Sequence, residues 1–308
     1  MPPALLVLAL GSLTLADGPP LDLRLDLSET AGITGAALAA SLATVLLKDQ
    51  LAPHTCRICG TDGLDISLRR VLVWKDTAAA SHVSDALEVG VPVLAAGALA
   101  LSAWQGGGAR TAGEDLLMAT EAVSVALLAT QVAKYAFGRV RPDAWANPSA
   151  TRTPDSLTSM WSGHTSAAFA AAAAAGTVAR LRGYRSWPWI LGVALAGATV
   201  CGWMRIAADR HWATDVVAGA AIGSIAGLGL PVWLHGRTGA GGGQPGGVRL
   251  QAFPSASPAS SRPRRPSGPR PAAWRPPARR LPADHRPPRR GPSPRPTRHG
   301  ARRGGRGR

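Results

Sequence analysis

The amino-acid sequence predicts an all-α fold, a polytopic membrane bundle of five or six transmembrane helices followed by a disordered C-terminal tail. Three observations support this prediction: apolar stretches with almost no charge, tryptophans at the ends of those stretches, and a charge excess confined to one part of the chain. Helices are expected because lipid offers an open backbone no hydrogen-bond partners. The candidate spans are Ala31–Leu47, Val89–Trp104, Leu116–Ala133, Thr165–Ala179, Trp187–Trp203 and Val216–Leu234.

The first of these spans decides whether the helices number five or six. Ala31–Leu47 is short for a bilayer, which needs about 20 residues, and it consists mainly of small residues. Residues 1–30 precede it as a separate N-terminal segment. Within this segment, Pro3–Ala16 resembles the apolar core of a signal peptide but lacks the usual preceding basic residues. The sequence therefore leaves cleavage of the segment open.

Two patterns describe how the helices sit in the membrane. Tryptophans mark the ends of several apolar stretches and predict an interfacial aromatic belt; they are Trp104, Trp187, Trp189, Trp203 and Trp233. The last span carries Gly219, Gly223 and Gly227 at four-residue spacing. Such a stripe lets helices approach closely. We expect it to serve packing within the bundle, with dimerisation as the alternative, and the sequence leaves the oligomeric state open.

The charge excess lies in the tail. Residues 236–308 contain 18 arginines and one acid, Asp284, so that residues 1–235 are nearly neutral. A segment this rich in Arg, Pro and Gly cannot bury enough apolar surface to fold, which predicts disorder. The tail could bind anionic lipid headgroups or nucleic acid. We favour a nonspecific cationic tail and expect no nucleic-acid partner.

Short-loop charge predicts the orientation of the spans. The loop after Ala179 carries Arg180, Arg182 and Arg185 and is therefore expected in the cytoplasm. The loops Lys134–Pro142 and Arg205–Asp215 then share the opposite, outer face of a bacterial-type inner membrane. Cys56 and Cys59 fall on that face too, where a disulfide could persist. A four-cysteine zinc site is excluded because the chain has no second CxxC.

Three polar clusters lie at the mouths of the spans: Lys134–Pro142, Trp161–Ser166 and Arg205–Asp215. The first and third contribute Lys134, Arg141 and Arg205. Cations at a membrane face are costly unless they serve an anion, and the planar guanidinium suits phosphate oxygens. Ser162 and Gly163 precede an Ala-rich helix, whose N-terminus favours an anion. These residues predict an anion cradle.

The clusters also contain two histidines and a carboxylate. His211 and Asp215 are four residues apart, which places them on one helix face. A carboxylate there could hold one imidazole nitrogen protonated and leave the other free as a nucleophile. His164 supplies a second imidazole, which could act as a general acid. The pattern therefore indicates a nucleophile, its orienting group and a proton donor beside the cradle.

The three clusters resemble the signature of the type 2 phosphatidic acid phosphatase (PAP2) superfamily, written KX6RP, PSGH and SRX5HX3D. Lys134 with Arg141 and Pro142 fits the first part completely. The second part fits except that Trp161 replaces proline, and the third fits except that Met204 replaces serine. The resemblance implies that residues 31–235 form a transmembrane catalytic domain with the helical core that this superfamily shares with haloperoxidases.

The resemblance also implies a role for each matching residue. The phosphate oxygens would be bound by Lys134, Arg141, Ser162, Gly163 and Arg205. His211 would attack phosphorus and form a phosphohistidine, with Asp215 as its orienting group, and His164 would protonate the leaving group. No metal or other cofactor is implied.

Three charged residues near the motifs and one inside a span fall outside the signature. We expect Arg139 and Arg210 to be solvated loop charges, so that Arg139→Ala should leave much of the activity. Asp209 should pair with one of these two arginines. Glu121 should face the protein interior in a structural role.

The expected function is hydrolysis of a lipid phosphate monoester or diphosphate at the outer face of the membrane. The partners are then the lipid substrate and the bilayer. One alternative is a vanadate-dependent haloperoxidase-like enzyme, which the membranous composition disfavours. A second alternative is a membrane scaffold or transporter with a vestigial phosphate site. The intact His164, His211 and Asp215 argue against such a decayed site.

Overall fold

The computed structural model describes residues 19–149 and 153–236. The described chain is helical, with eight α-helices and no β-strand. The helices are α1 Leu27–Leu46, α2 Lys48–Leu51, α3 Gly63–Leu72, α4 Thr77–Phe137, α5 Pro142–Ala146, α6 Gly163–Arg182, α7 Trp187–Ala207 and α8 Ala213–His235. The signal-like stretch Pro3–Ala16 and the tail beyond residue 236 lie outside the described residues.

Helix α4 comprises two of the predicted spans. Its 61 residues are interrupted at Gly108, which has a φ of 79° and a ψ of −172°. Glycine adopts this conformation without the steric cost that a side chain would bring. The interruption separates a first leg, residues 77–107, from a second leg, residues 109–137. The predicted spans Val89–Trp104 and Leu116–Ala133 therefore lie in two separate helical legs that are joined at Gly108.

The two legs run in opposite directions. Ser84, early in the first leg, accepts a hydrogen bond from Arg205 at 2.9 Å. Ser102, late in that leg, shares a hydrogen bond of 2.7 Å with Ser186. We call the end of the bundle with Arg205 the site end and the end with Ser186 the far end. The second leg returns to the site end, where Lys134 comes close to Gly163.

Four helices, α1, α4, α7 and α8, are long and apolar enough to cross a membrane. Helix α6 contains the predicted span Thr165–Ala179 but is not one of these four. It packs against α4, α7 and α8, and most of its residues, chiefly alanines, are buried. Because its surface faces protein rather than lipid, α6 needs small side chains for close packing more than it needs high hydropathy. The prediction of an all-α membrane bundle is confirmed.

The glycine stripe of α8 packs against α6. A Cβ atom at Gly219 would lie 2.7 Å from the carbonyl oxygen of Ser162, and one at Gly227 would lie 2.6 Å from that of Ala170. A Cβ atom at Gly223 would overlap the carbonyl oxygen of Ser166. The stripe therefore brings two helix backbones into direct contact. This confirms the prediction that it serves packing within the bundle.

Helix α1 runs the length of the bundle. Arg24, just before α1, donates hydrogen bonds to carbonyl oxygens at the far end, those of Trp233 at 3.0 Å and Gly236 at 3.2 Å. Near the other end of α1, the carbonyl of Thr44 accepts a hydrogen bond from Tyr135 at 2.7 Å. The chain therefore leaves α1 at the site end. The sequence left open whether Ala31–Leu47 is a full span, and in the structure this helix extends from one end of the bundle to the other.

The segment after α1 stays at the site end. Cys56 and Cys59 form a disulfide there. The neighbouring backbone pairs with the chain after α4, because Arg57 donates to the carbonyl of Gly138 and Val140 donates to that of Ile58. Helix α3 follows this pairing. The segment between α1 and α4 thus covers the same loops that carry the first polar cluster.

Tryptophans and a buried acid behave as predicted. Trp104, Trp189 and Trp233 are exposed near the far end, and Trp203 is exposed nearer the site end. Amphipathic rings at these levels suit the two membrane interfaces.

Glu121 is buried, and its Oε2 lies 2.7 Å from the Nε2 of His235, which confirms that it faces the interior.

Candidate active site

The three polar clusters meet at the site end. The amide of Ser162 donates to the carbonyl of Asp215 at 3.2 Å, which joins the second cluster to the third. The indole of Trp212 donates to the carbonyl of Val140 at 2.8 Å, which joins the third cluster to the first. Each of these two hydrogen bonds has a backbone group as donor, acceptor or both. The loops are therefore held together independently of the charged side chains they present.

His211 lies at the centre of this arrangement. It belongs to the short link between α7 and α8, and its side chain is only 2% exposed. Its Nδ1 lies 2.7 Å from the carbonyl oxygen of Ser159. A carbonyl can only accept, so Nδ1 must carry the hydrogen. In a neutral ring this tautomer leaves Nε2 unprotonated, and its lone pair is available for nucleophilic attack.

Asp215 does not contact the His211 ring in the way the sequence suggested. Its Oδ2 lies 3.9 Å from the Nδ1 of His211, which is beyond hydrogen-bonding distance. The carboxylate instead accepts bonds from the hydroxyl of Ser159 at 2.6 Å, the amide of Trp212 at 3.1 Å and the guanidinium of Arg139 at 2.6 Å. Asp215 therefore fixes the residue whose carbonyl holds His211. Ser159 was not among the residues predicted from the sequence.

Two of the three predicted cations are deeply buried. Arg141 donates from Nε to the carbonyl of Asp155 at 2.7 Å. Arg205 donates to the hydroxyl of Ser84, but its buried Nε has no partner among the described residues. An unpaired buried guanidinium nitrogen is costly. It is therefore expected to bind a group that the protein itself does not provide.

Lys134 completes the set of cations. A Cβ atom on Gly163 would lie 3.1 Å from the Nζ of Lys134, so a side chain there would crowd the ammonium. Glycine at this position lets the lysine reach the N-terminus of α6. No carboxylate among the described residues forms a salt bridge with this ammonium at 4.0 Å or less.

The cations act on the imidazole. Burial, followed by the charges of Arg141, Arg205 and Lys134, holds the pKa of His211 well below its usual value. His211 is therefore neutral at physiological pH. Burial also lowers the pKa of Arg141, to about 10, so this guanidinium stays charged at neutral pH. The site thus combines a neutral imidazole with neighbouring cations.

Ser162 and Gly163 begin α6. Ser162 is the N-cap residue, and its Oγ accepts a hydrogen bond from the hydroxyl of Thr165 at 2.8 Å. It is fully buried. The hydroxyl hydrogen of Ser162 is still available to a ligand, since its oxygen acts as acceptor in that bond. The positive end of the α6 dipole adds to the cations and favours an anion at this position.

His164 has two carboxylate partners that the sequence did not indicate. Its Nε2 lies 2.8 Å from Asp85 and 3.0 Å from Glu88, both in the first leg of α4. Asp85 also lies 3.4 Å from Arg205. The only available signal was the spacing of three residues between these acids, which places them on one face of a helix. Both carboxylates can accept a hydrogen bond from Nε2 of His164.

The structure corrects two expectations about neighbouring charges. Arg139 is not a solvated loop charge: it is buried and forms salt bridges with Asp65 at 2.7 Å and Asp215 at 2.6 Å. Asp209 does not pair with Arg139 or Arg210 but accepts two hydrogen bonds from Arg69, at 2.7 and 2.6 Å. Both differences arise because α3 packs under the α7–α8 link. Arg210 is partly exposed as expected, at 38%, but it also lies 3.3 Å from the carboxylate of Asp143.

The two departures from the motif have separate environments. Met204 is buried in a small apolar cluster with Ala80, Ala207 and Ala208. The ring of Trp161 lies 6.2 Å from that of Phe137. Both side chains thus have apolar neighbours. Within the described residues, no group of three or more His, Cys, Asp or Glu is arranged to hold a metal ion.

Comparison with known proteins finds a family whose model matches part of this chain. Residues 115–238 match the model of the PAP2 superfamily. This segment is less than half of the chain, and over it the chain is similar to the PAP2 superfamily. The matched segment contains all eight predicted site residues. It leaves out Ser84, Asp85 and Glu88 in the first leg of α4, and Asp65 in α3.

A curated protein is similar to part of this chain. It is the lipid A 1-phosphatase of Porphyromonas gingivalis (strain ATCC 33277), 38% identical over 121 residues. The match covers 38% of this chain and 24% of that protein, so the chain spans about a quarter of the relative's length. No solved structure matches the chain.

Proposed function

We propose that this protein is a membrane phosphatase that hydrolyses a lipid phosphate monoester or diphosphate through a phosphohistidine at His211. The observation that carries the proposal is the state of His211. The Ser159 carbonyl holds its Nδ1 hydrogen, and its neutral ring lies among Lys134, Arg141 and Arg205. A neutral imidazole among three cations favours an anionic substrate such as a phosphate and disfavours a cationic one.

The reaction follows from the positions of these groups. The three cations, the Ser162 hydroxyl and the α6 N-terminus would hold the phosphate oxygens and neutralise developing charge. Nε2 of His211 would form a bond to phosphorus as the bond to the leaving oxygen breaks. His164 would give its proton to that oxygen. Water would then attack the phosphohistidine, release inorganic phosphate and return a proton to His164.

The lipid nature of the substrate is part of the proposal. Four candidate membrane spans surround a site at one end of the bundle, which suits a phosphate at the headgroup level of a bilayer. The relative's printed name, lipid A 1-phosphatase, points to the same class of substrate. A haloperoxidase-like reaction and a non-catalytic scaffold remain the alternatives that the experiment below separates.

We also propose that the site end faces the periplasm. The argument is the positive charge of the far-end loop, which holds Arg180 and Arg185. Arg182 contributes less than expected to this charge, because it pairs with Asp115 at 2.6 Å and Glu114 at 3.0 Å.

The first test is phosphate release by the detergent-purified full chain with EDTA present. The substrates are phosphatidic acid, phosphatidylglycerol phosphate, undecaprenyl diphosphate, a 1-phosphorylated lipid A and a soluble monoester. We expect release from at least one lipid and much less from the soluble monoester. Halide oxidation after addition of vanadate and hydrogen peroxide, without phosphate release, would support the haloperoxidase alternative. No reaction from a folded preparation would favour the scaffold.

The protonation of His211 gives a second prediction. Because its pKa is lowered, we expect the ring to stay neutral as the pH falls through 6.5 and to gain a proton only well below it. The measurement is the pH dependence of the His211 ¹³Cε1 chemical shift in detergent, with the signal assigned by its loss in His211→Asn. The decrease of kcat/KM at acid pH that results from protonation of His211 should likewise have its midpoint below pH 6.5. A titration midpoint of His211 at or above pH 6.5 would contradict the conclusion that burial and the neighbouring cations lower its pKa.

A further inference from the structure

A buried ion cluster lies behind His211. The guanidinium of Arg139 donates to Asp215 at 2.6 Å, to Asp65 at 2.7 Å and to the hydroxyl of Thr214 at 2.7 Å. Asp65 also accepts from the amide of Thr214 at 3.0 Å. Both carboxylates are fully buried, and Arg139 is nearly so. The cluster therefore links α3, the chain after α4, and the first turn of α8.

This cluster reaches His211 by two routes. Asp215 accepts from the hydroxyl of Ser159 at 2.6 Å, and the carbonyl of Arg139 accepts from the amide of Ser159 at 3.1 Å. The carbonyl of Ser159 in turn accepts the Nδ1 hydrogen of His211 at 2.7 Å. Arg139 thus holds Ser159 once through its own backbone and once through Asp215. Among the described residues, no side chain forms a hydrogen bond with the imidazole, so the Ser159 carbonyl alone holds it.

The charge of the cluster suits the reaction as well as the fold. Two carboxylates and one guanidinium carry a net charge of −1 beside a ring that faces three cations. Nucleophilic attack by Nε2 places positive charge on the imidazole, which the cations disfavour and a buried negative charge favours. If the cluster only joined α3 to α8, apolar side chains would serve as well, because burying charges is often no more stabilising than apolar packing.

We propose that Asp65 and Arg139 are positioning residues for His211, acting through Asp215 and Ser159. The proposal rests on the proposed function for its kinetic consequence, but the geometry of the ring can be tested without it. Asp65 lies on α3, in a segment outside the one that matches the PAP2 superfamily model. The segment between α1 and α4 therefore supplies part of the support for the nucleophile.

The test compares Asp65→Asn, Arg139→Met and Arg139→Lys with a matched control, Arg69→Gln. Arg69 also joins α3 to the α7–α8 link, through two hydrogen bonds to Asp209, but it does not contact Asp215. We expect kcat to fall about 10- to 100-fold for Asp65→Asn and Arg139→Met, with KM within about twofold. Arg139→Lys should lie between these variants and the wild type, and Arg69→Gln should stay within about twofold of it.

The second readout is independent of catalysis. ¹⁵N chemical shifts of His211 report which ring nitrogen carries the hydrogen. The wild type and Arg69→Gln should show the Nδ1–H tautomer, and Arg139→Met should show a mixture. If no chain, including the wild type, released phosphate, the proposed function would fail while this measurement still tested the positioning.

Two results would overturn the proposal. One is an unchanged kcat per folded molecule in Asp65→Asn and Arg139→Met together with a lowered Tm, which would make the cluster a structural element only. The other is an unchanged His211 tautomer in Arg139→Met. Should Arg139→Met fail to fold, Asp65→Asn decides, since asparagine keeps the shape of aspartate and can still accept from Thr214.

Discussion

Replacing His211 with asparagine should reduce phosphate release to background, a loss of about 10⁴-fold or more, as expected for removal of a nucleophile. Asparagine keeps an N–H near the position of Nδ1, so the bond to the Ser159 carbonyl can survive. It has no counterpart to Nε2. The substitution therefore removes the attacking atom while it preserves the loop that holds it. The measurement is single-substrate phosphate release by protein of verified fold.

The control for this substitution is His54→Asn, since His54 is exposed and lies outside the three clusters. It should leave phosphate release unchanged. A labelled substrate, quenched in base, should leave an acid-labile phosphate on the wild-type chain and none on His211→Asn. Retention of more than a tenth of wild-type release in His211→Asn would show that another group attacks phosphorus.

Replacing Gly223 with valine should destabilise the helix bundle. Even the Cβ atom of alanine at this position would overlap the carbonyl oxygen of Ser166 and lie 3.0 Å from the amide nitrogen of Ala170. Both neighbours are helix backbone, which cannot rotate away as a side chain can. The two helices would have to separate, and overpacking of this kind typically costs about 1–3 kcal/mol, occasionally more. Thermal unfolding in detergent would show the loss as a lowered Tm.

Gly229→Ala is the matched control for this prediction. Gly229 is on the same helix, but a Cβ atom there would have no neighbour within 4 Å. Its Tm should equal that of the wild type or exceed it slightly, because alanine favours helix more than glycine does. An equal loss in Gly223→Ala and Gly229→Ala would mean that the glycines matter for helix flexibility, and not for the contact between α6 and α8.

The sequence predicted the spans and the site loops from local patterns. Hydropathy located all six helical stretches. The positive charge of the loop after Ala179, with the alternation of loops between the two faces, placed the three polar clusters at one end. It separated the spans Val89–Trp104 and Leu116–Ala133 correctly, but it could not locate the break at Gly108, because a single glycine conformation leaves no periodic signal. The marginal Ala31–Leu47 proved to cross the bundle because Tyr135 and other residues of α4 pack against it.

The charge partners were the part that the sequence could not supply. Arg139 looked like a loop charge because its partner Asp65 lies 74 residues away. The spacing of His211 and Asp215 indicated a shared helix face, but His211 precedes α8 and its ring turns towards the carbonyl of Ser159. Asp85 reaches His164 across 79 residues. Such pairings depend on how helices pack, which local spacing does not encode.

The burial of α6 has a consequence for how the chain enters the membrane. This helix has His164 in its first turn and Arg180 and Arg182 in its last turn, and it is not among the four helices apolar enough to cross a membrane. Its glycine-lined partner α8 begins 31 residues after α6 ends. The contacts that bury α6 against α7 and α8 can therefore form only after both later helices have been synthesised. The phosphate-binding role proposed for the start of α6 then depends on parts of the chain that are made after it.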